Sequence, residues 1–157
     1  MTEEKRIYVL VAKTVQNPLG VRQVCKEPSL DILAPIAETK TIIQPPGRIA
    51  AQCAHVVSKM RMNLLISKLN SQSPPPTFIR PSAAEEEITT IILSVPDSFQ
   101  LEMYSNLFRR WRVDFYGFYD ENEDYGFGKV YTAICTVPVF RRDVYGIVDY
   151  LPLWDGK

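Results

Sequence analysis

The sequence predicts an α/β fold of three layers, a small mixed four-stranded sheet with helices on both faces. Two observations carry that expectation. Short runs of β-branched and aromatic residues alternate with longer runs whose apolar residues recur at helical spacing. The 157 residues, 46% hydrophobic and 23% charged, also have the size and composition of one folded domain. A chain of that length buries roughly 70% of the surface it would expose unfolded.

The first element is Arg6 to Thr14, RIYVLVAKT, which reads as a strand buried on both faces. The pattern then breaks at Pro18, Gly20, Pro28 and Pro35, with one short helix expected within Ser29 to Lys40. Residues 15–46 are therefore read as an insertion, a length that inside a domain is usually functional. After Pro45-Pro46-Gly47, Arg48 to Leu69 shows helical spacing. Ile49, Cys53, Val56, Val57, Met60 and Leu64 form its apolar stripe, bordered by Ala50 and Ala54. Arg48, Gln52, His55 and Lys59 line one flank, and periodicity alone reads them as a solvated ridge.

Residues 70–84 are Ser- and Pro-rich and read as a linker, followed by the acidic lead-in Glu85-Glu86-Glu87. Ile88 to Val95 is the second strand. Asp97, with Gln100 three residues on, resembles a capping box that opens a second helix. Its stripe is Phe99, Leu101, Tyr104, Leu107, Phe108 and Trp111, and Arg109, Arg110 and Arg112 sit at its end, which suits the helix dipole. Val113 to Asp120 is a strand aromatic on both faces, Glu121 to Lys129 a loop, and Val130 to Val137 the fourth strand. Arg141 to Tyr150 reads as a last helix, weakened by Gly146.

Composition weighs against several function classes. Lys plus Arg and Asp plus Glu are both 18, whereas a protein neutralising many phosphates carries a basic excess. Cys25, Cys53 and Cys135 are odd in number and form no CxxC pair, so no disulfide framework or zinc finger is expected. His55 is the only histidine, which excludes multi-histidine metal sites, and no metal or cofactor is expected. The first residues do not resemble a signal peptide and no stretch is apolar enough to span a membrane, so the expected location is the cytoplasm. Cys53 and His55 do not suit a thiol nucleophile and its base, because two residues apart on a helix they point in nearly opposite directions. Gly126-Phe127-Gly128-Lys129 lacks the following helix of a P-loop and reads as a turn. Asp120, Glu121, Glu123 and Asp124 fit no calcium-loop spacing and read as a solvated acidic loop.

The run Gly47-Arg48-Ile49-Ala50-Ala51-Gln52-Cys53-Ala54-His55 resembles the signature of the type II peptidyl-tRNA hydrolases, roughly G-K-G-K-[IV]-A-A-Q-C-[SA]-H-A. Asp120 and Thr132 are twelve positions apart, similar to that family's aspartate and threonine, and Thr132 to Pro138 resembles its T-V-L-G-I-G-P. The resemblance implies metal-independent hydrolysis of the ester between a peptide and the tRNA 3′ ribose. It implies Asp120 to orient or deprotonate water, Thr132 to support it, and His55 and Gln52 to supply hydrogen bonds. Arg48 and Lys59 are then candidates for substrate binding, Arg48 as a bidentate phosphate ligand. Peptidyl-tRNA is the implied partner, and a homodimer stays open.

The chain also departs from the family pattern. The family's first signature lysine falls on Pro46, which offers neither charge nor N–H. Its D-A-G-R-T-Q segment becomes Asp120-Glu121-Asn122-Glu123-Asp124-Tyr125, so carboxylates stand where an arginine and a threonine are expected. Added carboxylates repel a phosphate backbone. The alternative is therefore a catalytically inactive relative that serves as a binding or protein-interaction module.

Overall fold

The computed structural model describes residues 3–16, 41–70, 88–121 and 129–157. Strand β1 is Lys5–Gln16, strand β2 Thr41–Ile43 and helix α1 Pro46–Asn70. Strand β3, Thr90–Asp97, leads into helix α2, Ser98–Arg110. Strands β4, Phe115–Glu121, and β5, Lys129–Thr136, precede the two-residue β6, Val139–Phe140, and the short helix α3, Arg141–Val144. The fold is mixed α/β, but the sheet has six strands, not four. The four long strands are those expected; β2 and β6 are short additions along β1, too brief to show a periodicity.

β1 is the centre of the sheet. It pairs in parallel with β3 from Ile7↔Thr90 to Thr14↔Asp97, and antiparallel with β5 at Val9↔Cys135 to Val11↔Ala133. β5 pairs antiparallel with β4, so the long strands run in the order β3-β1-β5-β4. Where the β1–β5 ladder ends, the Thr136 hydroxyl takes the place of a carbonyl and accepts from Tyr8 N at 3.0 Å. β1 is buried without a break from Ile7 to Ala12 because its alternate residues enter two apolar clusters. Ile7, Val9 and Val11 pack with Ile49, Cys53, Val56 and Met60 of α1. Tyr8, Leu10 and Ala12 pack with Leu101 and Phe108 of α2.

Each helix boundary has a local cause. Pro46 is the first helical residue of α1, where its missing N–H costs nothing, and the Pro45 carbonyl accepts from Ile49 N at 3.2 Å. The apolar stripe holds for Ile49 to Met60; Leu64, beyond the sheet, is 36% exposed. α2 begins at the Asp97 cap, whose carboxylate accepts from Gln100 N at 2.8 Å. It ends in a Schellman turn: Arg112 N donates to Arg109 O at 3.1 Å and Val113 N to Phe108 O at 2.9 Å. Arg112 occupies the left-handed position of that turn, at φ 57°. Trp111 caps the helix and is 61% exposed, so it leaves the expected stripe.

The last helix is shorter than expected. It stops at Val144, and Gly146 follows at φ 86°, a conformation that breaks the helix. Residues 152–154 then return along β3, where Leu153 bridges to Leu93. Cys53 and Cys135 are free thiols buried in the α1 cluster, as core cysteines. No helix among the described residues is long and apolar enough to cross a membrane. Most of the insertion with its short helix, the linker with Glu85 to Glu87, and residues 122–128 of the acidic loop lie outside the described residues.

Candidate functional site

Helix α1 lies against β4, and its polar flank meets that strand in reverse order. Gln52 Nε2 donates to Asp120 Oδ2 at 3.1 Å, the His55 ring stacks on Phe118, and Lys59 Nζ donates to Gly117 O at 2.7 Å. The His55 and Phe118 ring centroids are 5.3 Å apart at an interplanar angle of 18°. Three members of the sequence ridge thus engage β4 within four residues, with Asp120 at the end nearest the start of α1. Arg48 sits half-buried in the first turn of α1, one turn before Gln52.

The solvated-ridge reading of Gln52 is corrected. Its side chain is 2% exposed and reaches 2.6 Å from Gln44 Oε1 as well as Asp120. Gln44, also 2% exposed, donates from Nε2 to the Ala12 carbonyl of β1. A buried chain of amides therefore runs from the β1 backbone through Gln44 and Gln52 to the Asp120 carboxylate. Such a chain holds the carboxylate in one place because each buried polar atom depends on the next. Sequence reasoning missed Gln44, which it left inside the insertion. The one signal was a polar residue immediately before Pro45-Pro46, where the preceding backbone is forced extended.

Thr132 is fully buried and is the extra residue of a β-bulge. Phe118 pairs with Ala133 and Tyr119 with Tyr131, so Thr132 faces no residue of β4, and its hydroxyl reaches Phe118 O at 3.4 Å. The bulge changes which face the β5 side chains take. Ala133 packs with α1, whereas Tyr131 turns to the α2 side, where its hydroxyl meets Ser105 Oγ at 2.5 Å. Asp120 pairs with Val130, on the side of the sheet where Gln52 waits. Asp120 and Thr132 are thus neighbours across the ladder and not a directly opposed pair.

Burial pushes the Cys53 thiol up to about 11, so it stays protonated at neutral pH and takes no part as a nucleophile. Lys59 and Arg48, both expected to bind substrate, differ in setting. Lys59 is exposed and reaches round to the outer edge of β4, whereas Arg48 stays on the flank near Gln52. Tyr119 is 59% exposed and tilted against Tyr131 with ring centroids 4.8 Å apart. Glu123, Asp124, Tyr125 and Phe127 lie outside the described residues. The chain matches no protein-family model and no curated protein sequence, so its resemblance rests on its own residues.

Proposed function

We propose that the chain hydrolyses the ester between a peptide and the 3′ ribose of tRNA, with Asp120 acting on the water. The observation that carries this reading is the hydrogen bond from the buried Gln52 amide to Asp120 Oδ2, 3.1 Å. It joins a residue of the IAAQC-x-H run to the aspartate that the resemblance names, across 68 residues of sequence. A carboxylate oriented by an amide that is itself held by Gln44 is suited to take a proton from water as it adds to the ester carbonyl. The carbonyl–ribose bond then breaks, and the ribose oxygen leaves with the proton that Asp120 took from the water. Exposed His55 offers a hydrogen bond to the oxygen on which charge develops, and Arg48 a fork for a neighbouring phosphate. Thr132 acts on the strand, bracing Phe118 beside Asp120.

The same reading takes the architecture as three layers, α1, sheet and α2, supported by the two clusters that share alternate residues of β1. It assigns the protein to the cytoplasm. Release of peptide from a model peptidyl-tRNA tests it. Turnover is expected in the native chain and a loss of about 100-fold or more in Asp120→Ala. Undiminished turnover in that variant refutes the mechanism.

One observation favours a second reading. The position of the family's signature lysine is held by Pro46, an exposed ring that serves as the first helical residue of α1. A site without that cation suits a relative that binds but does not hydrolyse. Binding of a non-hydrolysable peptidyl-tRNA analogue without any turnover of the ester selects this reading.

A further inference from the structure

The two outer edges of the sheet are finished differently. At β3 the C-terminal segment continues the pairing, with Ser94 N donating to Pro152 O at 2.9 Å and Trp154 N to Ile92 O at 3.0 Å. At the opposite edge, β4 pairs only with β5 among the described residues. Val137 N donates to Asp114 O, and Thr132 Oγ1 reaches Phe118 O, so the even-numbered residues turn their backbone groups toward β5. The groups of Phe115, Gly117 and Tyr119 then face outward. Gly117 shows this directly, since its carbonyl is met from outside the sheet by Lys59 Nζ.

An open groove of about 620 Å³ lies over this edge. Lys59 lines it from α1 and Arg109 and Arg112 from the end of α2, and Asp114, Tyr119 and Tyr131 are among the other residues of its wall. Three cations stand against one carboxylate. Gly117 lets Tyr131 lie close across the strand, because a Cβ there would sit 2.6 Å from the Tyr131 ring. Arg109 is already set above the Phe115 ring, 5.3 Å from its centroid.

We infer that this groove binds an extended acidic peptide segment of another protein, which adds as a further strand along β4. Its carboxylates face Lys59, Arg109 and Arg112. The alternating donors and acceptors of a free strand edge match another peptide backbone, whereas a phosphate backbone can only accept. The sign of the charge chooses among peptides, and it also excludes a second copy joined edge to edge, which would set the same cations against each other. An incoming N–H takes over the Gly117 carbonyl and frees the Lys59 ammonium for a carboxylate. The inference does not depend on ester hydrolysis, because it uses the outward groups of β4, while Gln52 meets Asp120 on the side covered by α1.

A fluorescein-labelled octapeptide, Glu-Glu-Val-Val repeated twice so that carboxylates fall on both faces of the added strand, tests it by anisotropy at low salt. The peptide is expected to bind, and its Lys-Val counterpart to bind about tenfold more weakly or not at all. The Glu-Val peptide methylated at every backbone nitrogen is expected to lose about tenfold, because it cannot donate to β4. Arg112→Gly is the informative variant. It removes one cation while placing glycine at φ 57°, so it folds at least as stably, and binding is expected to weaken about fivefold. Equal binding of the methylated peptide, unchanged affinity in Arg112→Gly, absence of binding, or displacement of the peptide by oligouridylate at lower concentration overturns the inference. None of these outcomes bears on peptide release from peptidyl-tRNA.

Discussion

Gln52→Leu removes the amide that ties Asp120 to the centre of the sheet. Gln52 and Gln44 are each 2% exposed, and Gln52 Nε2 lies 2.6 Å from Gln44 Oε1 and 3.1 Å from Asp120 Oδ2. Leucine fills similar space and donates nothing. Loss of the buried donor to Gln44 costs about 1–3 kcal/mol. Asp120 is half-buried and regains water, so its lost bond costs about 1 kcal/mol. Burying an apolar side chain in place of an amide returns about 1 kcal/mol. The net destabilisation is about 2 kcal/mol, which for a chain of this length lowers Tm by about 4–8 °C. Equilibrium urea unfolding measures it, with an unchanged m-value showing that stability and not compactness moved. In Gln44→Leu/Gln52→Leu the donor and acceptor leave together, so the double variant is expected to cost about 1 kcal/mol less than the sum of the singles. A Gln52→Leu effect below about 0.5 kcal/mol, or strict additivity, refutes the buried amide chain.

Thr136→Val keeps the shape of a fully buried side chain but takes the acceptor from Tyr8 N, and about 1–3 kcal/mol of stability is expected to go with it. Denaturant unfolding reads that loss, and a change near zero would mean the bond is not needed. Burial pushes Cys53 up to about 11 and Cys135 up to about 12, above the usual value of 9.0 in an unfolded chain. The stability these thiols contribute is fully present below pH 9 and lost as pH rises through 11 to 12, because the unfolded chain releases the protons first. The urea midpoint is therefore expected to fall on going alkaline, and both thiols to react slowly with a disulfide reagent at neutral pH while the protein is folded. Asp97→Ala removes the cap on Gln100 N and is expected to cost about 1 kcal/mol, seen as a Tm lower by about 2–4 °C in a thermal scan.

The stripe from Ile49 to Met60 and the cap at Asp97 were readable because helical spacing and capping are local, set within four residues. The buried thiol of Cys53 followed from its place in the apolar stripe of α1. Periodicity alone misread Gln52 as solvated, for a definite reason. It borders the apolar stripe, and a polar residue there looks the same whether water or another side chain satisfies it. Its partners, Gln44 and Asp120, lie 8 and 68 residues away. Thr132 was named from the resemblance, but its bulge was invisible, since an extra residue in a strand is defined only against the strand it faces.

Composition and periodicity are enough to specify an α/β chain of about these strands and helices, with β1 buried on both faces and the strongest motif on the first turns of α1. They carry no record of strand order, of the two short strands along β1, or of which sheet edge is covered by residues 152–154 and which has no partner among the described residues. The physical reason is range. An apolar pattern states which side of an element must leave water, and many neighbours satisfy that demand equally well. A hydrogen bond between Gln52 and Asp120, or a row of β4 groups with no partner among the described residues, depends on which particular neighbour lies alongside, and that is settled only when distant strands have paired.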